Sequence, residues 1–174
     1  MDFLNLTKAR YSVRKFSSQQ VEAEKLDRIL ESGRLAPTAA NLQPQRVLVL
    51  NTETSLGKLK DCTPYHFNAP LALLVCYDNT VSWKRHFDGN DSGSVDASIV
   101  TTHMMLEIAS LGLGTTWVGH FDPAAIQAAF SLPANIIPVA LLPVGYPAEG
   151  VQPHPNHDKR YDKSHTVFYN SFDH

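Results

Sequence analysis

Two short segments near the start of the chain carry side chains that suit an anion and a polar ring. The first runs Arg-Tyr-Ser-Val-Arg, and if it is extended Arg10, Ser12 and Arg14 share one face, because alternate side chains of a strand do. If it is helical, Arg10 and Arg14 still share a face. Two guanidinium groups and a hydroxyl match the oxygens of a phosphate. We call this face the anion cradle; the alternative is a solvated basic turn flanked by Lys8 and Lys15.

A polar loop over residues 36–44 follows about twenty positions later, and we call residues 37–43 the amide loop. Asn41 and Gln43 offer amide donors and acceptors that suit the edge of a heterocycle. An apolar stripe at helical spacing predicts a helix over 21–35, stopped by the first proline of the loop. An ordinary connection between a helix and a strand is the alternative.

With two later segments, these motifs resemble the FMN-dependent nitroreductase family. The later segments are Gly112 to Gly119 and the basic pair Lys159 and Arg160, and all four occur in the family's order over nearly the whole chain. The resemblance implies an α+β fold, a central and mostly antiparallel sheet flanked by helices, in one domain over residues 1–174. It also implies a long buried interface helix and an extended C-terminal tail that is swapped onto a partner subunit.

The resemblance further implies FMN at the subunit interface of a homodimer, with NADH or NADPH as the electron donor. Arg10, Arg14 and Arg160 would neutralise the FMN phosphate, and the amide loop would reach the flavin ring from the opposite subunit. The positions that match the family's FMN contacts are Arg10, Tyr11, Ser12, Arg14, Pro37, Thr38, Ala39, Asn41, Gln43, Trp117, Val118, Gly119, His120, Lys159 and Arg160.

Flavin would carry the chemistry, because no amino-acid side chain accepts a hydride reversibly. The activity implied is transfer of electrons from NAD(P)H to nitroaromatic, quinone or similar electron-poor small molecules by a ping-pong mechanism. The catalytic residue is left unassigned, with His120 a candidate acid. Specialised flavin chemistry (dehalogenation, flavin fragmentation, heterocycle oxidation) and a non-enzymatic flavin-binding redox sensor stay open. Ala39, Ala40 and Gln45 depart from the family pattern, so the oxidant and the strength of FMN binding are open as well.

The remaining elements follow from hydrophobic patterning. We predict a strand over 47–50, a short helix over 54–60, a strand over 71–77, a polar loop over 78–93 and a helix over 94–111 ended by Gly112. The last helix has apolar residues around much of its circumference, which predicts burial on more than one side and favours a subunit interface. A strand over 115–118 would follow it.

Composition limits the classes of function. A chain of 174 residues that is 43% hydrophobic has enough material for one core, and a net charge of −2 does not favour nucleic acid. The longest apolar runs are too short to cross a bilayer, and the first residues lack the pattern of a secretion signal. With only Cys62 and Cys76 present, we expect a cytoplasmic protein without membrane or nucleic-acid partners.

Two motifs suggest other cofactors, but the sequence around each of them does not support that interpretation. Gly112-Leu113-Gly114 follows a helix and leads into a strand, the reverse of a Rossmann fingerprint, so it does not predict NAD binding of that type. His154, His157 and the other histidines match no metal-ligand spacing, so we expect no metal site.

Overall fold

The structure is a computed structural model that describes residues 2–172, with five α-helices and four β-strands in that range. In chain order these are α1 (Phe3–Ala9), α2 (Ala23–Arg34), β1 (Gln45–Leu50), α3 (Glu53–Cys62), β2 (Leu71–Asp78), α4 (Gly93–Ser110), β3 (Gly114–Thr115), α5 (Pro123–Phe130) and β4 (Ile136–Gly145). Short 3₁₀ turns lie at Ala39–Asn41, Pro64–His66 and Lys163–His165. The predicted α+β class is confirmed.

The four strands form one antiparallel sheet in the order β1-β2-β4-β3. The segment around Ser12 continues it, because Ser12 bridges in parallel to Thr115 and Phe16 bridges to Pro147. The basic motif is therefore extended along the sheet edge, and the helical alternative is wrong.

The central strand β2 is buried on both faces, which explains its uninterrupted apolar sequence. Leu73 and Val75 pack with the residues of α2 and α4, and Leu74 and Cys76 pack with those of α3 and α5. The sheet thus lies between two helical layers. Cys62 and Cys76 are free and buried, and burial raises the pKa of the Cys76 thiol to about 12.

Helix α4 buries one face against the sheet through Ala97, Val100, Met104 and Ile108. Helix α2 packs along a second side of α4, where Val100 and Met104 approach Gly33, whereas Val95 in the first turn is 55% exposed. The prediction of a long helix is confirmed, and Gly112 follows its end with φ +73°. In residues 2–172 no helix combines the length and the apolar character needed to cross a membrane.

Several predicted bounds are wrong for local reasons. The strand predicted over 115–118 is only Gly114–Thr115, after which Val118 pairs alone with Leu141. Helix α2 begins at Ala23 because Glu22 is its extended N-cap, and β1 already begins at Gln45. Helices α1 and α5 and strand β4 were not predicted from the sequence.

The C-terminal tail, residues 151–172, forms turns and bends and one 3₁₀ turn, Lys163–His165, with irregular backbone between them. It returns to the start of the same chain at His157, whose ring lies edge-on to Tyr11. Farther along, Tyr161, Tyr169 and Phe172 are each more than 80% exposed. A swap of the tail onto a partner subunit stays a prediction.

The first residue of α4 tests the packing of that helix on the sheet. A Cβ at Gly93 would lie 2.0 Å from the ring of Tyr77, so Gly93→Ala should lower the free energy of unfolding by about 1–3 kcal/mol. At Gly57, within α3, a Cβ would have nothing within 4 Å, and Gly57→Ala should raise it by about 0.5–1 kcal/mol. Urea denaturation measures both; equal effects would contradict the close packing at Gly93.

Candidate functional site

The anion cradle opens on a cavity of about 590 Å³ lined by Arg10, Ser12 and Arg14. Between them Val13 is 2% exposed, and its N–H donates to the carbonyl oxygen of Thr115 at 3.0 Å. Because Val13 faces the core, strand alternation turns its two neighbours toward the cavity. The predicted common face is therefore present.

The opposite wall of this cavity comes from the tail of the same chain. Arg160, predicted as a phosphate ligand, lines it together with His154, Asn156 and His157, and Tyr11 completes the lining. Sequence reasoning missed these three tail residues, because the spacing of the two histidines was judged only against metal sites. No group of three or more potential metal ligands occurs in the described part of the chain.

The three guanidinium groups that line this cavity, two in the anion cradle and one in the tail, lack acidic partners in the described residues. Within residues 2–172, none of Arg10, Arg14 and Arg160 pairs with a carboxylate, although other arginines, such as Arg34 with Glu31, do. Arg14 and Arg160 donate only to backbone carbonyl oxygens. Three guanidinium groups that line one cavity without salt bridges have donors left for a bound anion.

A second cavity of about 210 Å³ adjoins the first, and Arg14 lines both. We call it the aromatic cavity; the lining beside Arg14 is Tyr65, Phe67, Thr116, Trp117, Val118, Gly119 and His120. The rings of Tyr65 and His120 meet edge to face at 5.3 Å, and the Thr63 hydroxyl donates to the His120 carbonyl oxygen at 2.6 Å. At Gly119 an added Cβ would make only ordinary van der Waals contact, with Nε1 of Trp117 at 3.8 Å. This shape suits a flat ring.

Sequence reasoning missed Tyr65 and Phe67. They enter the aromatic cavity through a 3₁₀ turn at Pro64–His66, after which Phe67 takes φ +54°. Burial, with a smaller effect of Lys60, lowers the pKa of His66, and the Asn68 N–H donates to Nδ1 of its ring at 3.0 Å. A proline at the start of the turn was the only local signal.

The amide loop is held by a buried carboxylate. Asp96, 2% exposed in the first turn of α4, accepts from the Ala39 N–H at 2.9 Å and from the Ser92 hydroxyl at 3.0 Å. The Gln43 N–H donates to the Thr38 hydroxyl oxygen at 3.1 Å. These bonds maintain positive φ at three residues, namely Ala40, Asn41 and Gln43.

None of the five predicted contacts in the amide loop lines either cavity of its own chain; they are Pro37, Thr38, Ala39, Asn41 and Gln43. Asn41 and Gln43 are exposed. The single chain therefore brings together the anion cradle and the Trp117–His120 segment but not the amide loop.

The family model described as the nitroreductase family matches residues 7–64 and 63–146, far more than half of the sequence. The chain belongs to the nitroreductase family. The predicted resemblance is confirmed.

Relatives agree with this assignment over nearly the full length. A nitroreductase family protein from Clostridium difficile 630 has a structure with TM-score 0.93 and 40% identity, covering 99% of this chain and 100% of its own. An FMN-dependent nitroreductase from Clostridium difficile R20291 has TM-score 0.82 and 28% identity, covering 98% and 100%. A protein of Methanothermobacter thermautotrophicus named NADH dehydrogenase/NAD(P)H nitroreductase is 33% identical over 86% of this chain and 79% of its own.

The three positions at which we expect a departure from the family pattern have distinct surroundings. Ala39 and Ala40 lie in the strained amide loop and bring no hydroxyl to it. Gln45 lies in β1 opposite Tyr77, and its Oε1 is buried without a hydrogen bond in the described part of the chain. This last substitution therefore affects the sheet rather than the lining of the two cavities.

Lys159, the remaining predicted contact, does not line the anion cradle. It faces a neighbouring cavity of the tail, about 590 Å³ in volume, together with Arg160 and Tyr161. Arg160 lines both cavities, so it is the member of the basic pair that reaches the candidate site in this conformation.

Removing the buried carboxylate should loosen the amide loop. We expect Asp96→Ala to lower the free energy of unfolding by about 2–3 kcal/mol, because the Ala39 N–H loses a charged acceptor. Asp96→Asn retains an acceptor oxygen and should lower it less. Asp27→Ala, at an exposed position of α2, is the matched control and should change it by less than about 0.5 kcal/mol. Urea denaturation that ranks Asp27→Ala with Asp96→Ala would contradict the role of Asp96.

Proposed function

We propose that the protein is an FMN-dependent oxidoreductase that passes electrons from NADH or NADPH to nitroaromatic, quinone or similar electron-poor small molecules. The observation that carries this proposal is the convergence of three guanidinium groups without acidic partners, among the described residues, beside a cavity suited to a flat ring. Membership of the nitroreductase family supports it, as do relatives named FMN-dependent nitroreductase and NAD(P)H nitroreductase.

The residues present fit the phosphate of FMN. Arg10, Arg14 and Arg160 would neutralise it, and the Ser12 hydroxyl would donate a further hydrogen bond. The Trp117–His120 segment would lie along the ring, with close backbone approach at Gly119. When bound, FMN would supply the capacity to accept a hydride and to release electrons to a second substrate.

We propose a ping-pong order, in which the nicotinamide and then the oxidant would occupy the same place beside the bound flavin ring in turn. His120, whose ring is exposed beside Tyr65, is the candidate proton donor to the oxidant. A dedicated dinucleotide fold is not required.

We also propose that the working protein is a homodimer with FMN between its subunits. The amide loop would then deliver Thr38, Asn41 and Gln43 to the partner's flavin, which accounts for their distance from both cavities of their own chain. Exposed apolar side chains support this assembly on α1, on α4 and at the end of α2: Phe3, Val95 and Leu35 are 55–69% exposed. The distal tail would cover the partner through Tyr169 and Phe172.

The cytoplasm is the proposed location, since it supplies NADH and NADPH and keeps thiols such as Cys62 and Cys76 reduced. At Ala39 and Ala40 we expect a departure from the family pattern, and flavin binding alone does not determine the natural oxidant. Turnover with nitroaromatics and quinones is therefore measured beside simple flavin reduction.

The direct test is flavin retention. After incubation with FMN and desalting, the protein should stay yellow, bleach on anaerobic NADH or NADPH, and regain its colour with a nitroaromatic or quinone. Arg14→Ala should raise the FMN dissociation constant about 10- to 100-fold, because it loses a charged phosphate contact. Lys58→Ala removes one positive charge from the exposed side of α3 and should leave it unchanged.

Each result of this test has a separate meaning. Colour lost on desalting from the unmodified protein would overturn the FMN assignment. Flavin that is reduced but passes no electrons onward would favour a redox sensor, and slow nitro reduction with efficient use of another acceptor would favour specialised flavin chemistry. Equal FMN binding by Arg14→Ala and Lys58→Ala would contradict the role of the anion cradle.

The dimer is tested separately. Val95→Glu places a charge at an exposed apolar position of α4 and should shift the protein toward monomer while also weakening FMN retention. Thr54→Glu adds the same charge at an exposed position of α3, on the other side of the sheet, and should leave both unchanged. Analytical ultracentrifugation measures the mass; a dimer that survives Val95→Glu intact would place the interface elsewhere.

A further inference from the structure

One tail histidine makes contacts in three directions, and we propose that His157 is the positioning residue that holds Arg160 in the anion cradle. The identity of the anion, the phosphate of FMN, rests on the proposed function, whereas the contacts of His157 do not. They lie on its ring, its carbonyl oxygen and its N–H.

The ring fixes the tail to the start of the chain. Nε2 of His157 lies 3.0 Å from the carbonyl oxygen of Lys8, in the last turn of α1. A carbonyl oxygen only accepts, so Nε2 carries the proton and donates. The ring also meets that of Tyr11 edge-on, with 6.2 Å between centroids. As a result the His157 side chain is 14% exposed, whereas that of the next residue, Asp158, is 97% exposed.

The backbone of His157 carries this anchorage to two residues that line the cavity. Its carbonyl oxygen accepts from Nη1 of Arg160, and its N–H donates to the carbonyl oxygen of His154 at 2.7 Å. His154 in turn accepts from the Asn156 N–H through Nδ1 at 3.1 Å. The turn over residues 154–160 is therefore held in one conformation with Arg160 directed at the anion cradle.

Holding Arg160 before binding has a clear benefit for affinity. An arginine has many rotamers, and fixing one of them on binding opposes association. A guanidinium that is already hydrogen bonded to the His157 carbonyl oxygen loses less freedom when an anion arrives. The influence of His157 on binding should therefore act through Arg160.

The experiment titrates FMN into the full-length protein freed of flavin. His157→Phe keeps the ring against Tyr11 but has no donor for the Lys8 carbonyl oxygen, and it should raise the FMN dissociation constant about tenfold. His157→Gln retains an N–H donor and should restore most of the affinity. The double variant His157→Phe, Arg160→Ala should bind FMN no more weakly than Arg160→Ala alone, because the two residues act as one unit.

His165→Phe is the matched control, since His165 stacks on Tyr161 in the same tail and does not line the anion cradle. It should bind FMN as the unmodified protein does. Trypsin cleavage after Lys159 and Arg160, measured without FMN, should be faster for His157→Phe than for His165→Phe.

Unchanged FMN affinity in His157→Phe, or effects of His157→Phe and Arg160→Ala that simply add, would overturn the positioning role. Failure of the unmodified protein to bind FMN would instead refute the proposed function. In that case the trypsin rates alone decide whether His157 holds the tail, and equal rates for the two histidine variants would refute it.

Discussion

The site depends on one packing contact at the edge of the sheet, between Val13 and Gly114. A Cβ at Gly114 would lie 2.6 Å from a methyl carbon of Val13, so the extended segment approaches β3 only because that position is glycine. The contact buries Val13, aligns its N–H with the Thr115 carbonyl oxygen and turns Ser12 and Arg14 outward. Both cavities follow from it, because the anion cradle flanks this contact and the Trp117–His120 segment continues from β3.

A second constraint is the contact between α4 and the amide loop. Asp96 is buried within one subunit and holds the amide loop in a conformation with positive φ at three residues, whereas Val95, one residue before it in the helix, is exposed. One face of α4 fixes the amide loop, and the adjacent position, Val95, is apolar and exposed. Any surface that covers Val95 would therefore lie next to the amide loop. In the proposed dimer, assembly and completion of the flavin site are the same event.

The sequence predicted what local chemistry determines. The apolar run of β2, the long α4 and the shared face of Arg10 and Arg14 each follow from a pattern of a few neighbouring residues. Sequence patterns failed where residues distant in the chain determine the structure. Strand β4 contains Pro138 and Pro143, which are unusual in a strand, so it was not predicted. The strand expected over 115–118 ends early because Val118 pairs with Leu141 instead of continuing the pairing of β3. His154 and His157 reach the site only through the fold of the tail, so no local pattern assigned them.

In the proposed site, the charges that would hold a phosphate also link its binding to the stability of the chain. Arg10, Arg14 and Arg160 line one cavity, and none of them forms a salt bridge with a carboxylate of the described residues, so in the proposed site a phosphate would bind the docked tail and the first segment together. A ligand at one hundred times its dissociation constant stabilises the folded state by about 2.7 kcal/mol. That amount is comparable to several hydrogen bonds of the kind that hold the tail. In the proposed site, binding, tail docking and stability are therefore expected to change together, because one phosphate would contact Arg160 of the tail and the two arginines of the anion cradle.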